Sequence, residues 1–221
     1  EAWFETFDED KVLISSEAIV GWPMENHWNL RTNVDLLAEM FPEAQVLFMT
    51  RRQDQWAESA YRQILRSGFS TSIERYLNYK DDAFARYNIG LYHGPNLDAR
   101  DLDWDAFDRL FRRFFPKGVL TLPYEFYRAD QAGFLAELDA WMKLEPWELP
   151  EGEETVNDAW APAALGMAKL VNKIPMPIKQ AVREQLGAGA HPAELISKAS
   201  KKLGLGGKAD KAMPEAMRGA L

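Results

Sequence analysis

The chain has 221 residues, 47% of them hydrophobic, which is enough to bury the core of one domain and an appendage. It has no cysteine, which excludes disulfides and thiol chemistry, and its three histidines are too scattered to predict a metal site. The net charge of −8 conceals a division, because residues 1–168 carry −14 and residues 169–221 carry +6.

The basic segment, residues 169–221, has two interpretations. It can attract an anionic partner such as a polyanion or a membrane surface, or its lysines can form the solvated face of amphipathic helices. No apolar run approaches the length of a membrane-spanning helix, and no secretory signal stands at the front of the chain. We therefore expect a cytoplasmic protein without a transmembrane segment, a metal or a nucleic-acid partner, and we leave the oligomeric state open.

Strands are predicted where short apolar runs end at polar residues. They cover Val12–Ser15, Val46–Met49 and Val119–Leu122. Helices are predicted between and after them, because apolar residues recur there at helical spacing. One helix ends at Pro42, and the others follow Asp54, Asp103 and Asp130. Strand, helix and strand in this order form right-handed parallel crossovers by default, so the predicted fold class is α/β.

The C-terminal part begins with residues 145–158, which are acidic, contain two prolines and predict a linker. Three short helices rich in Ala and Lys are expected after it. They cover Ala161–Asn172, Pro177–Leu186 and Pro192–Leu203. Gly204–Lys208 superficially suggests a phosphate loop, but the spacing is wrong, Ala209 replaces the required Ser or Thr, and no strand precedes it. A flexible end segment is predicted instead.

The stretch of residues 46–63 combines a strand, a polar corner and a helix. Arg51 and Arg52 follow a strand that we expect to be buried on both faces, and they stand at the carboxyl edge where α/β sheets place ligands. Asp54 is predicted to cap the next helix, and Ser59 lies about one and a half turns into it. A guanidinium and a hydroxyl are donors suited to phosphate. The alternative is two solvated arginines and a small packing residue.

The string RRQDQWAESAYRQ, residues 51–63, resembles the sulfotransferase family. These enzymes move a sulfuryl group from 3′-phosphoadenosine 5′-phosphosulfate (PAPS) to an acceptor hydroxyl or amine. Many members have Pro where this chain has Gln53, which is a minor departure. The resemblance extends through Leu13–Glu17 upstream and Leu122–Glu125 downstream, so it covers about residues 12–143.

This resemblance implies a site, a co-substrate and a fold. Arg51 and Ser59 match the Arg and Ser that bind the 3′-phosphate of the nucleotide, and PAPS is the implied co-substrate, with no metal. The implied fold is a doubly wound parallel sheet of the P-loop and sulfotransferase type, flanked by helices, with a helical C-terminal extension. We therefore predict a sulfotransferase-like core over residues 1–144, followed by an acidic linker and a basic helical extension over residues 145–221.

Candidates for the acceptor side come from the segment before the first predicted helix. Some sulfotransferases use a pocket Glu as the general base, and Glu17 is the candidate here because a carboxylate near the nucleophile can accept its proton. Capping or pairing with an Arg is the alternative for Glu17. His27 competes for the base role, since an imidazole titrates near neutrality. Trp22, His27 and Trp28 can stack on a sugar ring or seal the core edge. Carbohydrate is therefore the first expectation for the acceptor, followed by a small alcohol, a lipid head group or a peptide.

One family element has no match in the sequence. Sulfotransferases open with a strand, a Gly-containing loop carrying Lys or Arg, and a helix that together hold the 5′-phosphosulfate. We expect this element to lie before residue 1. Two alternatives stay open: a non-catalytic or degenerate nucleotide-binding or scaffold domain, and a P-loop-type phosphotransferase, which would require Mg²⁺.

Overall fold

The computed structural model describes residues 12–21, 26–86, 96–143, 162–175, 177 and 213–221. Within these residues the strands are β1 (Val46–Thr50), β2 (Tyr79–Lys80), β3 (Ala83–Phe84) and β4 (Val119–Pro123). The helices are α1 (Leu30–Met40), α2 (Gln53–Arg66), α3 (Ile73–Tyr76), α4 (Trp104–Phe114), α5 (Tyr124–Ala129), α6 (Gln131–Met142), α7 (Pro162–Asn172) and α8 (Glu215–Gly219). Short 3₁₀ turns cover Glu17–Val20 and Ala99–Asp101.

Two strands far apart in the sequence form the parallel sheet of the described residues. β1 pairs with β4 in parallel, with Val46 opposite Val119 and Thr50 opposite Pro123. β2 and β3 form a separate antiparallel hairpin. The α/β prediction is confirmed by the parallel pair and the helices that flank it, whereas the doubly wound arrangement stays a prediction.

A cluster of apolar side chains, which we call the α4 cluster, packs one face of the sheet against α1 and α4. Phe48 of β1 lies 5.2 Å from Phe111 of α4, measured between ring centroids. Phe107 and Phe111, which lie one turn apart on α4, are both buried and form part of the core. The cluster consists of Leu30, Val34, Phe48, Phe107, Phe111, Phe115 and Val119.

A second group, which we call the α2 cluster, buries α2 against α3, α7 and the C-terminal residues. Its main members are Ala57, Tyr61, Ile64, Leu65, Tyr76, Leu165, Ala168, Met213 and Met217. The Asn172 side chain ties α7 to the end of α2, because its Nδ2 donates to the carbonyl oxygens of Leu65 at 2.9 Å and Phe69 at 2.8 Å. Helix α2 therefore depends on contacts with segments distant in sequence.

Two expectations about strands are wrong. Residues 12–16 form no strand, and Val12, Leu13 and Ile14 are 48%, 68% and 46% exposed. A strand requires a hydrogen-bonded neighbour, and no strand of the described residues pairs with this run. β1 is also not buried on both faces, because Met49 is 46% exposed. In the described residues only the Phe48 face of β1 is well covered.

The predicted C-terminal helices lie partly within the described residues. Helix α7 confirms the predicted helix Ala161–Asn172 within one residue. Apart from residue 177, the predicted helices Pro177–Leu186 and Pro192–Leu203 lie outside the described residues, as does Gly204–Lys208. Among the described helices, none has the length and apolar character that crossing a membrane requires.

Candidate anion-binding site

The corner where β1 and β4 end is held by contacts from three sides. The indole Nε1 of Trp104 donates to the carbonyl oxygen of Arg51 at 2.6 Å. The backbone N–H of Arg52 donates to Oε1 of Glu125 at 3.1 Å, which joins the end of β1 to the segment after β4. The guanidinium carbon of Arg51 lies 5.1 Å from the ring centroid of Tyr124. The corner therefore has a fixed backbone and a stacked arginine.

The guanidinium of Arg51 has unused donors. Its Nε is buried and has no hydrogen-bond partner among the described residues. A buried N–H without a partner costs free energy, and such a group in a folded protein calls for an explanation, such as an ion that completes the site. Arg52 differs, because its side chain pairs with Asp54, with Nε at 3.2 Å from Oδ1. Arg51 is thus the arginine of the pair that can receive an external anion.

Ser59 is exposed on α2, eight residues after Arg51. The helix turns Ala57 and Tyr61 into the α2 cluster, so Ser59 lies on the outer side between them. Arg51 and Ser59 share no hydrogen bond within the described residues. Both predicted phosphate ligands therefore lie in one strand, corner and helix unit, with no hydrogen bond between their side chains within the described residues.

Asp54 does not cap α2, so that prediction is wrong. The helix begins at Gln53, with Arg52 at the N-cap position and no side-chain cap hydrogen bond. Asp54 is buried instead, and its Oδ2 accepts a hydrogen bond at 3.0 Å from Nη1 of Arg218. Because the Asp54 carboxylate accepts a hydrogen bond from Arg218 of α8, its charge is stabilised without a hydrogen bond from the backbone N–H groups of α2.

Arg218 was missed by the sequence reasoning. It also pairs with Glu58, which accepts a second hydrogen bond from Arg62 at 2.6 Å. Burial by itself would lower the pKa of the Arg218 guanidinium, but the hydrogen bonds and charges of Glu58 and Asp54 outweigh it and raise that pKa. The signal that could have indicated this docking is the i, i+4 spacing of Met213 and Met217 within the basic segment, since both are fully buried.

His27 lies inside the molecule and is 7% exposed. Its ring packs 5.4 Å from Trp56 and 5.2 Å from Phe107, and its Nδ1 lies 2.8 Å from the carbonyl oxygen of Val20. A neutral imidazole that donates from Nδ1 leaves Nε2 as an acceptor, and Nε2 is buried without a partner among the described residues. Burial lowers the pKa of His27, and the hydrogen bond to Val20 offsets this only in part.

Glu17, Trp22 and Trp28 are the other candidates for the acceptor side, and the structure describes only some of their side chains. Glu17 begins the 3₁₀ turn Glu17–Val20, but its side chain lies outside the described part of the structure. Trp22 also lies outside the described residues, whereas Trp28 is 72% exposed. His27 therefore seals the core edge, and Trp28 is the aromatic ring of this segment that is open to solvent in the described residues.

The close packing around Gly21 explains how this segment is held. Gly21 has a φ of +81°, and a Cβ there would lie 2.9 Å from the carbonyl oxygen of His27 and from the N of Leu30. A side chain would therefore push the 3₁₀ turn away from the start of α1. Gly21 lets the chain bring Glu17–Val20 against α1, where Nδ2 of Asn33 donates to the carbonyl oxygen of Ala18 at 2.8 Å.

No protein-family model matches the chain, and neither the curated proteins nor the solved structures include a significant match. In the described parts of the chain, no group of three or more His, Cys, Asp or Glu side chains could hold a metal ion. Function therefore has to be inferred from the chemistry of the residues themselves.

Proposed function

We propose that this chain is a sulfotransferase domain in which the Arg51 corner binds the 3′-phosphate of PAPS. The observation that carries the proposal is the guanidinium of Arg51, with a buried Nε that has no partner in the described residues, at the carboxyl end of a parallel strand. Ligands of α/β sheets bind at this edge. The resemblance of residues 51–63 to the sulfotransferase nucleotide site selects PAPS among the possible anions.

The chemistry of the corner suits a phosphate. A guanidinium presents several N–H donors in one plane, which matches two phosphate oxygens at once. Tyr124 limits the rotation of the Arg51 side chain by stacking against it, so less conformational entropy is lost when an anion binds. Ser59 adds a hydroxyl donor on the exposed side of α2.

We also propose that β1 and β4 belong to a doubly wound sheet. Met49 is 46% exposed on the face of β1 opposite Phe48, and Leu47 on that face is only partly buried. A doubly wound sheet covers both faces with helices, so the proposal requires a further element that packs against the face of Leu47 and Met49.

The proposed reaction is an in-line transfer. The acceptor oxygen or nitrogen forms a bond to sulfur while the bond from sulfur to the 5′-phosphate oxygen breaks, and the 3′,5′-bisphosphate leaves. The acceptor proton passes to a general base, for which Glu17 and His27 are the candidates. The lowered pKa of His27 keeps its imidazole neutral at pH 7, as a base requires, but its ring is 7% exposed and an acceptor would need access to it. Rate enhancement would come from positioning and electrostatic stabilisation. Carbohydrate is the proposed acceptor class.

The proposal is tested by comparing how two nucleotides stabilise the parent chain, Arg51→Met and Arg52→Met. Thermal unfolding is measured with 3′-phosphoadenosine 5′-phosphate and with adenosine 5′-monophosphate, which lacks the 3′-phosphate. At about a hundredfold excess over the dissociation constant, binding adds roughly 2.7 kcal/mol to the free energy of unfolding. We expect the bisphosphate alone to raise the midpoint of the parent, and Arg51→Met to abolish that rise.

Arg52→Met is the matched control, because it removes the neighbouring guanidinium, which is 66% exposed and paired with Asp54. It should retain most of the response to the bisphosphate. An Arg51→Met variant that binds the bisphosphate as tightly as the parent would exclude the proposed site.

The same series separates a phosphotransferase and a scaffold without a nucleotide site from the proposed function, whereas a non-catalytic nucleotide-binding domain would respond to the bisphosphate and is separated by its failure to transfer a sulfuryl group from PAPS. A phosphotransferase would bind a nucleoside triphosphate with Mg²⁺ and show no preference for a 3′-phosphate. A scaffold domain without a nucleotide site would respond to neither nucleotide.

A further inference from the structure

The buried ion pairs of α2 involve carboxylates that stand close in the sequence to both proposed phosphate ligands. Asp54 stands three residues after Arg51, and Glu58 directly precedes Ser59. Both carboxylates are nearly buried, with 9% and 12% of their side chains exposed. Two negative charges held so close to an anion site would oppose phosphate binding unless they are neutralised.

Arg218 of α8 supplies part of that neutralisation. Its Nη1 donates to Asp54 at 3.0 Å and its Nη2 donates to Glu58, while 10% of its side chain is exposed. Arg62 pairs with the other oxygen of Glu58 at 2.6 Å. Arg52 also pairs with Asp54, at 3.2 Å from Nε to Oδ1. Among the described residues the two carboxylates therefore face three guanidinium groups, and removal of Arg218 takes away one unit of positive charge beside α2.

The position of Arg218 is itself fixed by packing. Met213 and Met217 are each 1% exposed within the α2 cluster, and Nε of Arg218 donates to the carbonyl oxygen of Met213 at 3.3 Å. The Arg218 guanidinium is thus held in place by the packing of its own segment against the α2 cluster.

We propose that Arg218 is a positioning residue for the phosphate site, which fixes Asp54 and Glu58 on α2 and cancels their charge next to the bound anion. The inference rests on the proposed function, because it assigns a role at the same nucleotide site. It places a determinant of nucleotide affinity in the C-terminal basic segment, which the resemblance to sulfotransferases does not cover.

The test measures the dissociation constant of 3′-phosphoadenosine 5′-phosphate by calorimetry on the full chain. Removing one unit of positive charge about 10 Å from one unit of ligand charge, in an effective dielectric between 20 and 80, weakens anion binding by roughly 2- to 15-fold. We expect Arg218→Met to weaken binding by a factor in this range at about 0.05 M salt. Arg218→Lys keeps the charge but loses the planar fork that reaches both carboxylates, so it should bind more tightly than Arg218→Met and less tightly than the parent.

A charge-compensated variant separates electrostatics from packing. In the double variant Arg218→Met with Glu58→Gln, one positive and one negative charge are removed together, so affinity should return to within about twofold of the parent. Arg31→Met is the matched control, because it removes the cation of an exposed i, i+4 pair with Asp35 and should leave affinity unchanged. If Arg218→Met does not fold, Arg218→Gln, which also removes the charge and whose amide can still donate to Asp54, replaces it as the single variant and in the double variant.

The outcomes distinguish this inference from the proposed function. A parent that binds the bisphosphate while Arg218→Met binds equally well would overturn the inference alone. A double variant as weak as the single variant would show that Arg218 acts only through packing, which also overturns it. A parent that does not bind the bisphosphate at all would overturn both.

Discussion

The hydroxyl groups of two neighbouring tyrosines in the α2 cluster have unequal surroundings. The rings of Tyr61 and Tyr76 lie 6.0 Å apart, and both residues are almost completely buried. The hydroxyl of Tyr61 donates to the carbonyl oxygen of Thr71 at 2.9 Å. The hydroxyl of Tyr76 is buried without a hydrogen-bond partner in the described residues, and burial raises its pKa. The two residues are of the same type and similarly exposed, so the main differences are the hydrogen bond to Thr71 and the neighbouring Lys169, whose Nζ lies 5.4 Å from the centroid of the Tyr61 ring.

This pair gives a matched prediction at the level of one atom. Tyr61→Phe should lower the free energy of unfolding by about 1 kcal/mol, because it leaves the Thr71 carbonyl without its donor. Tyr76→Phe should be neutral or raise the free energy of unfolding, because it removes a buried hydroxyl that has no partner. Urea unfolding of the two variants checks this, and equal losses would contradict it.

His27 predicts a pH dependence of stability. Its pKa is lowered in the folded state by burial from the ordinary value of 6.5, so the unfolded chain binds a proton more readily. The free energy of unfolding should therefore fall as the pH drops below about 6.5 and level off below the folded pKa. Asp108, whose pKa is lowered first of all by the hydrogen bond from Arg112, loses its contribution only below its ordinary value of 3.8.

The measurement is the thermal midpoint at about pH 7.5 and about pH 5.5 for the parent and for His27→Phe. The drop between the two pH values should be smaller in the variant, since the group that gains a proton on unfolding is absent. An equal drop in both chains would assign the pH dependence to other groups.

Single residues of the site were predictable only where the chemistry is local. Arg51 and Ser59 could be proposed as candidates because strand, corner and helix follow one another within residues 46–63. The sequence could not decide whether His27 seals the core edge or faces an acceptor, because its burial depends on Trp56 and Phe107 from two other helices. Likewise, a carboxylate near a helix start predicts a cap, and nothing local shows that Asp54 meets Arg218 instead.

Helix α4 shows how a local signal sets the boundary of an element. Asp103 occupies its N-cap position, and Oδ1 accepts a hydrogen bond from the N–H of Ala106 at 2.9 Å. Asp130 caps α6 in the same way, through Gly133. These caps and the helical spacing of apolar residues explain why both helices could be predicted from the sequence.

The cap of α4 gives a prediction at the level of the element. Asp103→Ala should lower the free energy of unfolding by about 1 kcal/mol, because the Ala106 N–H loses its acceptor. Asp105→Ala is the control, since Asp105 is exposed in the same turn and contributes mainly through the helix dipole, about 0.3 kcal/mol. Denaturant unfolding of the two variants measures the difference, and similar losses would mean that the cap hydrogen bond adds nothing.

Strands were less predictable than helices. β1 and β4 were found within one residue of their ends, but the equally apolar run Val12–Ser15 is not a strand. A strand is completed by a partner elsewhere in the chain, whereas most helix hydrogen bonds stay within the helix. The apolar pattern of Val12–Ser15 therefore could not show whether this run has a partner strand.

At the scale of the whole molecule, α2 joins the candidate site to the C-terminal residues. Its first turn meets Arg218 and its buried side meets Met213 and Met217. The sequence predicted a basic helical extension, but the charge asymmetry does not show which part of that extension enters the core. The α/β class was predictable from the order of the elements, and the contacts that close the core were not.

The buried methionines give a prediction at this scale. Met217→Ala should lower the free energy of unfolding by about 2–4 kcal/mol, because it leaves a cavity in the α2 cluster. Met40→Ala should change it by less than about 0.5 kcal/mol, since Met40 is 54% exposed at the end of α1. Thermal or urea unfolding measures both values, and a small loss in Met217→Ala would mean that α8 is not docked in solution.

The two clusters should also differ in when they form. All members of the α4 cluster lie between residues 30 and 119, whereas the Arg218 to Asp54 contact spans 164 residues and the Asn172 to Leu65 contact spans 107. Contacts between residues far apart in sequence carry a larger loop-closure entropy, so they slow folding. We therefore expect the α4 cluster to be structured in the folding transition state and the docking of α8 to come after it. Substitutions at Met213 or Met217 would then mainly accelerate unfolding, whereas substitutions at Phe111 would slow refolding.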